Sequence, residues 1–221
     1  MGKRGSKPKG KIKIEWSADF AYAIGLLASD GCLSPSGRHI IFVSKDKEQL
    51  KNFMQALKIR IPIGRTKSGY SGIYCLRIQF GDVLFYRFLQ QIGFMPNKSR
   101  VVGEIKIPKE YFFDFLRGSF DGDGCTYSYW DKRWRSSFVF YTTFVSASKR
   151  HVLWLQREIM DRLKISGHIT NDGEKTTLQL KYAKADSIQL LRKMYPNRQV
   201  LCLSRKRLKI EKMLRIVGER L

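Results

Sequence analysis

The chain is short of acid. Its 221 residues hold 19 Asp and Glu against 42 Lys and Arg, a formal net charge of +23. It also lacks long apolar runs. The longest, such as Tyr22 to Ala28, fall far short of the roughly 20 residues a bilayer span needs, which excludes a transmembrane protein. Cysteine is sparse: Cys32, Cys75, Cys125 and Cys202 stand far apart, with no Cys-x-x-Cys. His39, His151 and His168 form no zinc spacing with them, so a zinc finger is excluded. The basic N-terminus has no apolar core of a secretory signal, so the expectation is an intracellular protein with reduced thiols, not a secreted one.

What is present is a core and a strong charge. Hydrophobic residues make up 43% and aromatics 13%, which argues against wholesale disorder. The positive excess calls for a polyanionic partner, because Lys and Arg neutralise phosphates and release their counterions. Nucleic acid is the favoured partner. The competing reading is an anionic membrane surface, since Met1-Gly2-Lys3-Arg4-Gly5-Ser6 fits a loose myristoylation pattern. One acyl chain anchors only marginally, so no membrane partner is expected.

The sequence repeats itself. Ala23-Ile-Gly-Leu-Leu-Ala-Ser-Asp-Gly31 resembles Leu116-Arg-Gly-Ser-Phe-Asp-Gly-Asp-Gly124, with Asp30 matched to Asp123. In the same order, Phe42-Val-Ser44 matches Phe144-Val-Ser146, the alternating Tyr74–Phe80 matches Thr176–Tyr182, and Pro96-Asn-Lys98 matches Pro196-Asn-Arg198. The expected division is a basic tail over 1–15, a first repeat over 16–100 and a second over 101–221.

Each copy reads as a helix ending in Asp-Gly, two strands, a helix, two strands and a helix. Ser17 is suited to cap the first motif helix and Pro108 to open the second. Later helices are expected over Lys47–Leu57, Val83–Ile92, Lys149–Leu163, Ser187–Met194 and Lys206–Val217. The first strand pairs are expected at Cys32–Leu33 with Arg38–Val43, and at Thr126–Tyr129 with Ser136–Val145. Leu76, Ile78 and Phe80 alternate with Arg77 and Gln79, as Leu178, Leu180 and Tyr182 do with Gln179 and Lys181. This is the period of a strand with one buried face. Phe138 to Val145 is apolar on both sides and gives no face.

The motif helices carry the chemistry. Gly25, Ala28, Gly118 and Gly122 are small and helically spaced, so the two helices can approach closely. Their C-terminal acids, Asp30 and Asp123, then meet. Two carboxylates at one point repel unless a cation lies between them, and Mg²⁺ takes such oxygen ligands. Asp121 is matched by Ala28 and reads as a local group. An EF-hand is excluded because Lys132 stands where the loop needs its Glu.

On these residues the chain resembles the single-chain LAGLIDADG homing endonucleases, from about Trp16 to Val217. Gly25, Asp30 and Gly31 match in copy one, and Leu116, Gly118, Asp121, Asp123 and Gly124 in copy two. Ala28 departs from the motif at a position that is not a metal ligand in the family. The resemblance implies an α+β homing-endonuclease fold: two pseudo-symmetric αββαββα units whose eight strands form a saddle-shaped antiparallel surface on DNA. It implies hydrolysis of one phosphodiester on each strand of a long asymmetric duplex, leaving 3′ overhangs. Asp30 and Asp123, together with Ser29 and Gly122, would hold Mg²⁺. Mn²⁺ would substitute, and Ca²⁺ would bind without supporting cleavage.

The resemblance makes Lys98 and Arg198, at matched positions, the candidate catalytic cations beside the acids, polarising the scissile phosphate or orienting water, with Lys206 competing in copy two. The candidate DNA-contacting residues are Arg38, Lys45, Arg65, Lys67, Arg77, Gln79, Lys132, Arg133, Arg135, Gln179 and Lys181, since Arg and Gln read base edges. Trp130 and Trp134 read as turn packing. The fused repeat supplies both halves, so a monomer is expected. The alternatives are an intron-splicing maturase on RNA and a DNA-binding protein without cleavage.

Overall fold

The computed structural model describes residues 10–67, 72–171 and 177–221. Among them are seven α-helices and eight strands in two four-stranded sheets. The first motif helix, α1 (Ala18–Asp30), is buried from Phe20 to Leu27. A helix apolar on all sides belongs in a core. The Ser17 hydroxyl accepts the Phe20 N–H at 3.1 Å, capping α1 as expected. The second motif helix, α4 (Phe112–Asp123), starts later than Pro108, after a 3₁₀ turn over Lys109–Tyr111.

Each motif helix runs directly into a sheet. Copy one forms β1 (Gly31–Leu33), β2 (His39–Ser44), β3 (Gly64–Lys67) and β4 (Tyr74–Gly81), in the order β1-β2-β4-β3. Copy two forms β5 (Cys125–Trp130), β6 (Phe138–Ser146), β7 (His168–Asn171) and β8 (Leu178–Tyr182), in the order β5-β6-β8-β7. All pairs are antiparallel, and Ser44 faces Leu76 as Ser146 faces Leu178. The β5–β6 hairpin is longer than β1–β2. The match therefore shifts from Asp30/Asp123 to Ser44/Ser146 without loss of topology.

The remaining helices, α2 (Lys47–Ala56), α3 (Val83–Gln91), α5 (Lys149–Leu163), α6 (Lys184–Met194) and α7 (Ser204–Ile216), complete the fold. The inner sheet faces, toward α2 and α5, present Ile40, Phe42, Ile78, Phe140, Phe144 and Leu180 to the core. Residues directly opposed in a ladder point the same way, so the register sorts Phe138–Val145: Phe138, Phe140, Thr142 and Phe144 face inward, and Val139, Tyr141, Thr143 and Val145 face out.

The two halves join through glycine. A Cβ on Gly25 would run into the Phe115 carbonyl and stand 2.7 Å from the Ser119 nitrogen. One on Gly118 would run into the Tyr22 carbonyl and stand 2.9 Å from the Leu26 nitrogen. Here α1 and α4 pack backbone to backbone. Gly122 is equally close to Ser29 and 2.8 Å from Asp30 Oδ2 by the same measure. Ala28 is half-buried and lies toward copy two, lining a small cavity with Ser119 and His151.

Part of the basic N-terminal segment is anchored. The backbone N–H groups of Lys11 and Ile12 donate to Asp82 Oδ2 at 2.6 and 3.0 Å, and Ile12 is buried. Residues 1–9 lie outside the described residues.

Candidate DNA-cleavage site

The helix pair brings Asp30 and Asp123 together at the adjoining C-termini of α1 and α4, just before β1 and β5. Burial is the main cause that raises both carboxyls, and Asp123 adds to the shift at Asp30, which reaches about 6. Each acid feels the positive charges of Lys98 and Lys206, which oppose the rise. Two hard carboxylates that repel each other fit one Mg²⁺, which binds through one or two carboxylates plus waters and phosphate oxygens. Among the described residues no group of three or more acidic, His or Cys side chains could hold a metal. Such an ion would rest on two side chains and the substrate.

A buried lysine closes each helix end. Lys98 is 6% exposed, and its ammonium donates to the carbonyls of Ala28 at 2.7 Å and Ser29 at 3.0 Å. Asn97, in left-handed backbone at φ 55°, turns the chain into the short 3₁₀ helix that carries Lys98. At the other helix, Lys206 donates to the carbonyls of Phe120 and Gly124 at 2.6 Å and of Gly122 at 3.1 Å. Cations at helix C-termini oppose the negative end of the dipole. Burial lowers both ammonium groups, Lys206 to about 8.

Lys206, not the sequence-matched Arg198, is therefore the counterpart of Lys98 in space. Arg198 lies in the loop between α6 and α7, where its carbonyl accepts from Arg207 at 3.2 Å. Ser29 and Gly122, expected to help hold the metal, stand next to the acids, but their carbonyls already accept the two lysines.

Asp121 does a different job. Its Oδ2 accepts from the Tyr22 hydroxyl at 2.8 Å and the Leu203 N–H at 2.7 Å. It thus ties α1 to α4 and pins the residue from which α7 starts, three positions before Lys206. Burial raises its carboxyl to about 6.

Gln49, absent from the sequence expectations, links both copies. Its amide donates to Asp30 Oδ2 at 3.0 Å and to the Asp121 carbonyl at 3.3 Å, and it bonds Ser44 Oγ at 2.5 Å. A sequence signal existed: Gln49 is a polar residue on the inward stripe of an amphipathic helix, beside Leu50 and Phe53. Its counterpart is His151, since Asp46 caps α2 as Ser148 caps α5. Yet His151 Nδ1 bonds the Gly103 carbonyl at 2.9 Å, and burial lowers its ring to about 4. Between His151, Ser29, Ser119 and Asp123 lies a cavity of about 20 Å³, the room of one water. The surroundings of the two acids are unequal.

The other candidates sort by register. Arg77 and Gln79 share the outer face of sheet one with Val43 and Ile41. With Lys11 and His39 they line an open groove of about 610 Å³. Gln179 and Lys181 share the outer face of sheet two with Val145, Thr143, Thr170 and His168. Arg65 and Lys67 do not join them. They oppose Leu76 and Tyr74, which face the helix side, and Lys67 Nζ lies 5.3 Å from the Tyr74 ring centre. Alternation had fixed β4, but β3 offered too few apolar residues to fix its face. Arg38 and Lys45 are exposed at the two ends of β2. Lys132, Arg133 and Arg135 are exposed in the β5–β6 turn, with Trp134 largely exposed and Trp130 against Phe138 at 5.1 Å. The outer face of β5 and β6 carries Tyr127 stacked on Tyr141 at 5.0 Å, with Tyr129 beside them.

No protein-family model matches the chain, and no curated protein sequence does. Solved structures do. Full-length DUF199/WhiA from Thermatoga maritima superposes with a TM-score of 0.59 at 15% identity, over 93% of this chain and 62% of that one. This chain thus spans less than two thirds of that protein's length. The homing endonuclease I-WcaI bound to its DNA recognition sequence superposes with a TM-score of 0.60 at 15% identity, over 94% and 95% of the two chains. I-DmoI in complex with DNA and Ca gives 0.53 at 13% identity, over 87% and 97%. The chain has the LAGLIDADG homing-endonuclease fold, in the α+β form with antiparallel sheets that the resemblance implied. Among the described residues no helix is long and apolar enough to cross a membrane.

Proposed function

We propose that this protein is a site-specific, Mg²⁺-dependent endonuclease that cuts both strands of a double-stranded DNA target, acting as a monomer. The observation that carries the reading is the pairing of Asp30 with Asp123 between Lys98 and Lys206. A fold alone does not imply an activity, and a basic DNA-binding surface has no use for two mutually repelling buried acids. The supporting likeness is to homing endonucleases whose structures hold their DNA, one of them with Ca. Mg²⁺ when bound supplies an activated water and charge stabilisation at a leaving oxygen. Asp30 and Asp123 would hold it. Lys98 and Lys206 lie close enough in charge to draw the scissile phosphates toward the acids, while Arg77, Gln79, Gln179 and Lys181 contact the duplex. Mn²⁺ is expected to replace Mg²⁺, and Ca²⁺ to hold the complex uncut.

Cleavage selection on a randomised duplex library tests this reading. Defined cuts on both strands with 3′ overhangs are expected with Mg²⁺, and bound but uncut DNA with Ca²⁺. Tight duplex binding with no cut under Mg²⁺ would leave a DNA-binding protein of the same fold. Preference for intron RNA over every duplex would favour the maturase.

The two lysines make a separate prediction. Lys98→Met and Lys206→Met should each slow one strand far more than the other, on opposite strands, so that nicked DNA accumulates. An ammonium group that titrates near 8 loses charge as pH rises through that value. The strand that depends on Lys206 should therefore slow above about pH 8, a limb the Lys206→Met enzyme lacks. Equal slowing of both strands by either variant would remove the lysines from the chemistry.

A further inference from the structure

Away from the acids, the loop after α6 and one stripe of α7 enclose a cavity of about 360 Å³. Arg198, Arg207, Arg215 and Arg220 line it, over a floor that includes Tyr195. Arg207 and Arg215 stand eight residues apart on α7 with Glu211 between them, so all three share one helix face. Two side-chain carboxylates reach the cavity, and both are engaged; Leu221 also lines it. Glu211 pairs with Arg207 at 3.1 Å, and Glu219 pairs with Arg192. Among the described residues, Arg198, Arg215 and Arg220 pair with no carboxylate.

The cavity is built on a rigid frame. Arg117, fully buried in α4, donates to the carbonyls of Met194 at 2.7 Å and Leu201 at 2.9 Å. It also pairs with Asp114 at 2.8 Å. These bonds hold both ends of the loop that carries Arg198. The cavity lies on the helical side of copy two. The α6 helix covers the inner face of its sheet, where Ser187 Oγ accepts the Thr142 N–H at 3.0 Å. A duplex on the outer faces is therefore separated from this cavity by the sheet.

We propose that this cavity binds a phosphate-bearing ligand of about nucleotide size. Guanidinium groups match phosphate oxygens in a two-pronged geometry that lysine cannot offer. Three of them face one space with no ion-pair partner of their own, and their mutual repulsion favours the entry of an anion. The volume falls in the range of about 300–1,000 Å³ typical of small-ligand sites, which leaves room for a sugar or base beside the phosphate. The ligand is either a free nucleotide or one unit of a single strand, recognised by the same chemistry.

Isothermal titration of the whole protein with inorganic pyrophosphate, with ADP and with a short single-stranded oligonucleotide tests the proposal. The comparison proteins are Arg215→Gln/Arg220→Gln and, to match the charge lost, Lys51→Gln/Arg87→Gln. Saturable one-to-one binding of at least one probe is expected. The Kd should rise about tenfold or more in the first variant, the scale of a lost charged hydrogen bond, and stay near wild type in the second. Binding of ADP but not the strand identifies a free nucleotide, and the reverse identifies a strand. Circular dichroism confirms that both variants fold. No saturable binding by any probe, or equal weakening in both variants, would overturn the site. DNA cleavage plays no part in the readout.

Discussion

Asp30→Asn with Asp123→Asn should abolish cleavage of both strands and, at the same time, stabilise the metal-free protein at pH 7. The two effects have one cause. Burial and mutual repulsion raise the Asp30 carboxyl from 3.8 to about 6, and burial raises Asp123. A carboxyl raised by folding binds a proton more tightly when folded than when unfolded. Its stabilising share is complete below about pH 4 and is lost as pH rises through about 6. At neutral pH the charged form of Asp30 thus costs the fold up to roughly 3 kcal/mol, taking 1.36 kcal/mol per unit. Asn carries no charge and can still accept from Gln49. The double variant should therefore melt several degrees above wild type at pH 7, with the gap closing by about pH 4. Mg²⁺ should close most of that gap: at about a hundredfold excess over its Kd it stabilises wild type by about 2.7 kcal/mol and leaves the variant unmoved. Cleavage should fall on the order of a thousandfold or more, as when preorganised charge at a reacting centre is removed. Melting curves with and without Mg²⁺, run beside a cleavage assay, check all three. A variant less stable than wild type at pH 7, or one that still gains from Mg²⁺, would mean the acids are structural.

The second large effect is steric. Gly25→Ala and Gly118→Ala each place one methyl against the backbone of the opposite helix, at the Phe115 and Tyr22 carbonyls. A flexible side chain could yield; two packed backbones cannot. Each change should cost about 3 kcal/mol or more, the upper range for overpacking. Any folded fraction should lose cleavage, because the helices that carry Asp30 and Asp123 must part. Gly64→Ala is the control. Its Cβ would meet only the Arg77 carbonyl, at 3.8 Å, and should change stability by less than about 0.5 kcal/mol. Urea unfolding of the three variants reads the difference directly. Wild-type stability in Gly25→Ala would contradict the close packing of α1 on α4.

Both effects rest on residues that stand out in the sequence. Gly25, Gly118, Asp30 and Asp123 sit in a motif that occurs twice, and repetition exposes a pattern that one copy would hide. Matching by sequence went astray where it was carried into a loop. Pro96-Asn-Lys98 and Pro196-Asn-Arg198 look equivalent, yet Lys206 is the group that meets the second helix end. A lysine has a long, flexible reach, so different backbone positions can deliver the same ammonium group. The C-terminal segment then diverges freely between the copies.

The sequence alone determined what repeats with a short period. It showed the doubled unit, the helices that end in Asp-Gly and the outward Arg77, Gln79, Gln179 and Lys181, because alternation in a strand and the small stripe of a helix are local properties. Only the tertiary structure decided which distant groups meet. The register turned Arg65 and Lys67 toward the helix side and set Tyr127, Tyr129 and Tyr141 on the outer face. Packing drew Gln49 to Asp30 but left His151 bonded to Gly103, so that two copies of one unit surround their acids differently. The reason is that hydrogen-bond partners far apart in the chain are chosen by the whole fold, and no local period records them.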